Sequence, residues 1–82
     1  MSTPAEMARL ELLEEFRRTT IERIERITLA WVTLEKNPAD TAVAQELQRE
    51  LHTVKGEARM MGFADVSLIA HRCEALVMHA KD

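Results

Sequence analysis

The sequence predicts an all-α protein built as an antiparallel helical bundle. Its 82 residues are 46% hydrophobic but include only two Gly, two Pro and no Tyr, which leaves little material for hairpins. Only two short segments interrupt the helical pattern, and between them apolar residues recur in steps of three and four. We therefore predict one domain over residues 1–82, with helices at about 5–36, 40–61 and 65–80.

The first predicted helix, at about 5–36, is much the longest. It ends where Pro38 forces Asn37 out of helical geometry. One face is predicted to be charged, with Glu22, Arg23, Glu25 and Arg26 as its example. The apolar stripe on the other face consists of Leu10, Leu13, Phe16, Ile24, Ile27, Trp31 and Leu34, with Thr20 in its gap.

The second predicted helix begins at Asp40 or Thr41, since either side chain can cap it. It ends before Gly62, which can adopt the left-handed conformation and is followed by the apolar Phe63. Its apolar stripe consists of Val43, Leu47, Leu51, Val54, Ala58 and Met61.

The third predicted helix begins near Asp65, whose carboxylate favours a helix N-terminus. Its apolar stripe consists of Val66, Ile69, Ala70, Cys73, Leu76, Val77 and Ala80. Three helices of unequal length leave part of the first uncovered, and Leu12, Ile21 and Leu29 lie off its stripe. We therefore expect a fourth helix from a longer chain, of which residues 1–82 would be a truncated part, or a second copy in a homodimer.

Composition excludes several classes of protein. The chain has 14 acidic and 11 basic residues, for a net charge of −3, which argues against nucleic-acid binding. A single Cys cannot form an internal disulfide and fits a reducing compartment. No apolar run reaches the roughly 18 residues of a membrane span. We expect a cytoplasmic protein without a nucleic-acid or membrane partner.

The residues around His52 carry the strongest chemical signal. Lys55 and Gly56 follow it by three and four positions and share its helix face, and Arg59 lies one turn further on. Glycine inside a helix costs about 1 kcal/mol relative to alanine, so its presence calls for a reason. Gly56 would leave the imidazole open to a large reactant. Together with the two cations, such a ring suits a phosphoryl group.

A second pair, His71 and Glu74, lies on the third helix. His52 precedes Gly62 by ten residues and Glu74 follows it by twelve, so an antiparallel pair of helices brings the two side chains face to face. A carboxylate that accepts the His52 Nδ1–H would leave Nε2 with its lone pair outward.

The run His52-x-x-Lys55-Gly56-x-x-Arg59-x-x-Gly62-Phe63, followed by His71-x-x-Glu74, resembles histidine phosphotransfer (HPt) domains. It is most similar to the N-terminal HPt domains of CheA-type chemotaxis kinases, over about residues 45–78. The resemblance implies a four-helix core, of which this chain supplies three helices.

The resemblance also implies a function in a bacterial phosphorelay. His52 would accept a phosphoryl group from a CheA-type kinase domain, on the same polypeptide or in trans, and donate it to an Asp of a CheY-like response regulator. Lys55, Glu74 and His71 would surround it. The chain has no phosphate-binding Gly-rich loop and no acidic metal cluster, so we expect no metal or cofactor here, with ATP and Mg²⁺ bound by the partners. The chain would be a phosphoryl carrier, part of or partner to a histidine kinase.

Partners are expected to dock around His52, on Gln48, Gly56, Glu57, Arg59 and Met60. The alternative reading is a non-catalytic helical dimerisation module, which leaves Gly56 and the His52–Lys55 pair unexplained. A metal site of His71, Cys73 and His79 is disfavoured because their spacing distributes them over different faces of one helix.

Overall fold

The computed structural model describes residues 1–80 and contains three helices. These are α1 (Pro4–Lys36), α2 (Thr41–Met60) and α3 (Ala64–Ala80), and the described residues form no strand. The all-α prediction is confirmed, and each helix begins and ends within one residue of its predicted bound. Residues 81 and 82 of the predicted domain, and the predicted stripe position of the Ala80 side chain, lie outside what the structure describes.

Local hydrogen bonds explain where α1 and α2 begin. The hydroxyl oxygen of Thr3 accepts the N–H of Glu6 at 3.1 Å, and Pro4 occupies the first turn, where its missing N–H has no consequence. At the start of α2, Asp40 Oδ1 accepts the N–H of Val43 at 3.1 Å. Of the two candidate caps for α2, Asp40 is therefore the one used.

The turn between α2 and α3 ends one helix and positions the next. Gly62 has a φ of 82°, the left-handed conformation predicted for it. The Phe63 N–H donates to the Ala58 carbonyl at 2.8 Å, and the Gly62 N–H donates to the Arg59 carbonyl at 3.2 Å, which together form a Schellman motif. The Phe63 ring stacks on Phe16 of α1 with ring centroids 5.3 Å apart, so the turn is also packed against α1.

The core is centred on α2, which packs against α1 on one side and α3 on the other. Leu47 and Val77 are the largest fully buried side chains. Most of the buried positions belong to α2 because only the middle helix has neighbours on both flanks. The buried residues are Ala30, Ala44, Leu47, Leu51, Val54, Ala58, Ala70 and Val77.

Part of the predicted apolar stripes on the outer helices stays exposed, which corrects the expectation of burial. Ile69 is 62% exposed and Leu76 is 61% exposed. Each outer helix covers only its α2-facing side, and no described residue covers the apolar groove between α1 and α3. This α1–α3 groove is lined at one end by Leu13, Phe16, Thr20, Ile21 and Phe63, and at the other by Trp31, Leu34, Pro38, Leu76 and Val77.

Charged side chains join α1 to α2. Arg23, on the charged face of α1, is half-buried and donates to Glu50 at 3.1 Å and to Glu57 at 3.3 Å. Arg26 also donates to Glu50, at 3.3 Å. Part of the charged face of α1 therefore meets α2, which presents two carboxylates to it.

Candidate functional site

His52 lies on the solvent-facing strip of α2, above the α2–α3 turn. Its side chain is 71% exposed. Gly56, one turn further along, is exposed as well. The imidazole is therefore open to a macromolecular reactant, while its own helix is held between two neighbours.

A carboxylate from α3 approaches the imidazole from below. Glu74 Oε2 lies 3.5 Å from His52 Nδ1, although the Glu74 side chain is only 18% exposed. The Lys55 ammonium lies 3.2 Å from the same oxygen and 3.4 Å from Glu74 Oε1. The structure thus brings two predicted site residues, His52 and Lys55, to the carboxylate of a third, Glu74.

The Glu74 Oε2 atom is buried and accepts no hydrogen bond from any described residue. The Lys55 ammonium lies 3.2 Å from this oxygen without completing a hydrogen bond to it, and His52 Nδ1, at 3.5 Å, is a second group that can donate to it. A neutral imidazole with its proton on Nδ1 would satisfy this oxygen. Its Nε2 would then carry the lone pair that a nucleophile needs.

Ser67 contributes to the site and was missed by the sequence analysis. Its hydroxyl donates to the backbone carbonyl of Lys55 at 3.1 Å, which ties α3 to α2 beside the Lys55 side chain. Ser67 follows Gly62 by five residues and Lys55 precedes it by seven, so pairing positions at similar distances from Gly62 could have found this contact. A serine near the start of a helix carries no other signal of such a role.

Gly56 is not required by the packing of the chain itself. A Cβ built at this position meets no heavy atom within 4 Å, and its backbone has the ordinary negative φ of a helix. A larger side chain would extend into solvent rather than into a neighbouring helix. Any requirement for glycine here therefore arises from something outside the chain.

The predicted docking residues differ in their surroundings. Gln48 is half-buried, one turn before His52. Glu57 faces α1 and accepts from Arg23, so its carboxylate is engaged within the fold. Arg59 is exposed, and Met60 is exposed to 87%, the largest apolar protrusion near the site.

His71 lies on α3, one turn before Glu74. It is exposed and lines a groove with Lys55 and Arg59, and its ring makes no hydrogen bond or ion pair with the residues that the structure describes. Cys73 is half-buried against the core cluster. Within residues 1–80, no three His, Cys, Asp or Glu side chains come together as a metal site would require. Nor does any described helix combine the length and apolar character needed to cross a bilayer.

Comparisons with known proteins agree on one family. The family model described as the Hpt domain matches residues 11–82. The chain is 45% identical over 69 residues to the gliding motility regulatory protein of Myxococcus xanthus, covering 84% of this chain and 9% of that protein. It is 36% identical over 67 residues to the chemotaxis protein CheA of Halobacterium salinarum, covering 82% of this chain and 10% of that protein. No solved structure matches it significantly.

The family match extends over most of the chain, including all of α2 and its turn into α3. The chain spans about a tenth of the length of the curated relatives that it matches. The matched region contains the exposed His52 and the Glu74 and Lys55 side chains beside it. The chain belongs to the Hpt domain family, as an Hpt domain of the kind found in chemotaxis-type phosphorelay proteins.

Proposed function

We propose that His52 accepts a phosphoryl group from a CheA-type kinase domain and donates it to an aspartate of a CheY-like response regulator. One observation carries the proposal. An imidazole exposed to 71% has its Nδ1 within 3.5 Å of a buried carboxylate oxygen that lacks a hydrogen bond. Such a pairing orients a nucleophilic ring while leaving its other nitrogen free to react.

In the first step, the lone pair on Nε2 attacks the γ-phosphorus of ATP held by the kinase. The N–P bond forms as the P–O bond to ADP breaks, and ADP leaves with the electron pair. The proton on Nδ1 stays directed at Glu74, which stabilises the positive charge that the ring gains. Phosphoryl transfer demands position and charge compensation above all, and a rigid helix provides the first.

In the second step, a carboxylate oxygen of the regulator's aspartate attacks the same phosphorus. The N–P bond breaks, its electron pair returns to Nε2, and the regulator leaves as an aspartyl phosphate. Gly56 keeps the face of the ring free of side chains, so two different macromolecules can approach in turn.

Lys55 supplies the charge compensation in this proposal. Its ammonium is 3.2 Å from Glu74 in the unphosphorylated chain, and its side chain is only 24% exposed. A phosphoryl group on His52 adds negative charge one helical turn away, where the ammonium can interact with it as well.

The kinase, ATP and Mg²⁺ are assigned to partners or to other regions of a longer protein, and cytoplasmic location is part of the same proposal. The cognate regulator would be identified as the receiver that takes the phosphoryl group from this chain.

The test is phosphorylation of a chosen histidine. The chain has three histidines, and His79→Gln is the matched control for His52→Gln, because His71 is itself one of the predicted site residues. Each variant is incubated with a CheA-type kinase core and labelled ATP, and separately with a phosphoramidate donor. We expect acid-labile, base-stable label on the wild type and on His79→Gln, no label on His52→Gln, and removal of the label by a CheY-like receiver.

Label that persists on His52→Gln would refute the assignment of the phosphorylated residue. Absence of label on the wild type, with several kinases and with the phosphoramidate donor, would favour the alternative. That alternative is a non-catalytic helical dimerisation module, and the exposed α1–α3 groove is the observation in its favour.

A further inference from the structure

A groove runs between α2 and α3 from the level of Lys55 down to the turn at Gly62. It has a volume of about 480 Å³ and is open to solvent along its length. Its walls include the small or apolar residues Gly62, Ala64 and Leu68. Its polar lining consists of three basic residues, Lys55, Arg59 and His71, and of Ser67, whose hydroxyl already donates to the Lys55 carbonyl.

These basic groups differ in whether they are already compensated. Lys55 is paired with the Glu74 carboxylate at 3.2 Å. In contrast, neither the Arg59 guanidinium nor the His71 ring has a hydrogen bond or ion pair with any residue from 1 to 80. The groove therefore has an uncompensated guanidinium in a chain whose formal net charge is −3.

The other flank of α2 has the opposite arrangement. Its carboxylates, Glu50 and Glu57, are directed at α1 and accept from Arg23 at 3.1 and 3.3 Å. The charges on the two sides of the His52 strip are thus unequal. An approaching macromolecule meets a free cation on the α3 side and internally paired groups on the α1 side, which can orient it as well as attract it.

The distance from the groove to the imidazole is set by the helix. Arg59 follows His52 by seven residues, which is two turns, so both side chains leave α2 in nearly the same direction. A rise of 1.5 Å per residue separates their Cα atoms by about 10 Å along the axis. An anion bound by Arg59 would therefore lie about 10 Å from a group bound at His52.

We propose that this groove binds an acidic side chain of the response regulator, positioned about 10 Å from the aspartate that receives the phosphoryl group. This proposal rests on the proposed function. Arginine binds carboxylates with two parallel hydrogen bonds, and the small wall residues leave room for one inserted side chain. Arg59 is then a specificity-determining residue, since a regulator without a carboxylate at that spacing leaves the guanidinium unpaired.

The test compares Arg59→Glu with Arg49→Glu, which makes the same charge change one turn on the other side of His52 and outside the groove. Both variants and the wild type are phosphorylated with a phosphoramidate donor, so that no kinase is needed. Transfer is then measured to a CheY-like receiver that accepts the label from the wild type. We expect Arg59→Glu to lower kcat/KM for transfer about tenfold at low salt, with a smaller deficit near 0.5 M salt, and Arg49→Glu to lower it much less.

Arg59→Lys should recover part of the loss, because it keeps the charge but not the fork geometry. A Glu→Lys or Asp→Lys substitution in the receiver that restores transfer by Arg59→Glu would identify the contacting residue. Equal losses of transfer in Arg59→Glu and Arg49→Glu would overturn the groove assignment. A defect of Arg59→Glu that appears only in labelling by a kinase, and not in transfer to the receiver, would overturn it as well. Failure of the wild type to take label from either donor would instead overturn the proposed function, and this proposal with it.

Discussion

Single side chains decide what the site can do, and Glu74 is the clearest case. Its carboxylate lies within 3.5 Å of both the His52 imidazole and the Lys55 ammonium. One carboxylate therefore lies between the ring and the neighbouring cation, in position to interact with both. The oxygen nearest the ring is buried and makes no hydrogen bond, with the Lys55 ammonium 3.2 Å and the His52 imidazole 3.5 Å from it.

Glu74→Gln should slow phosphorylation of His52 by about 10- to 100-fold, because the neutral amide no longer favours a proton on Nδ1. Initial rates with a phosphoramidate donor measure the change. Imidazole ¹⁵N chemical shifts provide a second readout, since they distinguish the two tautomers and a purely structural role would not shift them. Glu46→Gln, which removes the charge of an exposed carboxylate on α2, the helix of His52, is the matched control. An unchanged rate and an unchanged tautomer would show that Glu74 is only a partner for Lys55.

At the level of whole helices, α2 and its turn into α3 determine the geometry. The Schellman motif at Gly62 ends α2 two turns beyond His52 and begins α3 at the angle that brings Glu74 back to it. Arg23 of α1, with Glu50 and Glu57, holds the opposite flank of α2. The rotation of α2 about its axis, and hence the direction of His52, is thus constrained from both sides.

The two glycines should respond to alanine in opposite directions. Gly62→Ala should lower the free energy of unfolding by about 1 kcal/mol, because its φ of 82° is strained for any residue with a Cβ. Gly56→Ala should raise it by about 1 kcal/mol, since the new Cβ meets no atom within 4 Å and alanine is the better helix former. Urea denaturation of both variants measures the difference. A loss of stability in Gly56→Ala would mean that the helix needs glycine for a reason within the fold.

The molecule as a whole exposes more surface than its mass requires. Its extents are 54 × 19 × 14 Å and its accessible surface is 6284 Å². A typical monomer of 9.4 kDa exposes roughly 5,000 Å², about a fifth less. Exposed apolar side chains, Trp31 and Leu76 among them, lie along the α1–α3 groove, and none of the site residues on α2 lines it. Association at the groove is therefore compatible with access to His52.

The 82-residue chain should self-associate through this groove, because the groove exposes apolar side chains of α1 and α3 that no described residue covers. Light scattering coupled to gel filtration measures the mass over a range of concentrations. The double variant Trp31→Glu/Leu76→Glu, at two exposed groove residues, should be monomeric. Leu29→Glu, which alters an exposed leucine of α1 outside the groove, should associate like the wild type. A wild-type chain that is monomeric throughout would contradict the expectation.

The helices and much of the site were readable from the residues because the signals are local. Asp40 and Gly62 act on their own backbone, and Pro38 acts on its neighbour, so helix ends follow from short stretches of sequence. The approach of His52 to Glu74 followed from counting outward from Gly62, since antiparallel helices joined by a tight turn pair positions at similar distances from it. The functional roles of these residues remain predictions.

Packing between the helices decided what no local pattern contained. It turned Arg23 inward, engaged Glu57 with α1 and left Ile69 and Leu76 in the open. The rotation of a helix about its own axis depends on which neighbour covers it, and the apolar stripes of α1 and α3 are wider than the one flank that α2 covers. The sequence therefore determines the helices and the faces that they offer. Which of those faces is buried, paired or left for a partner is decided only when the three helices pack together.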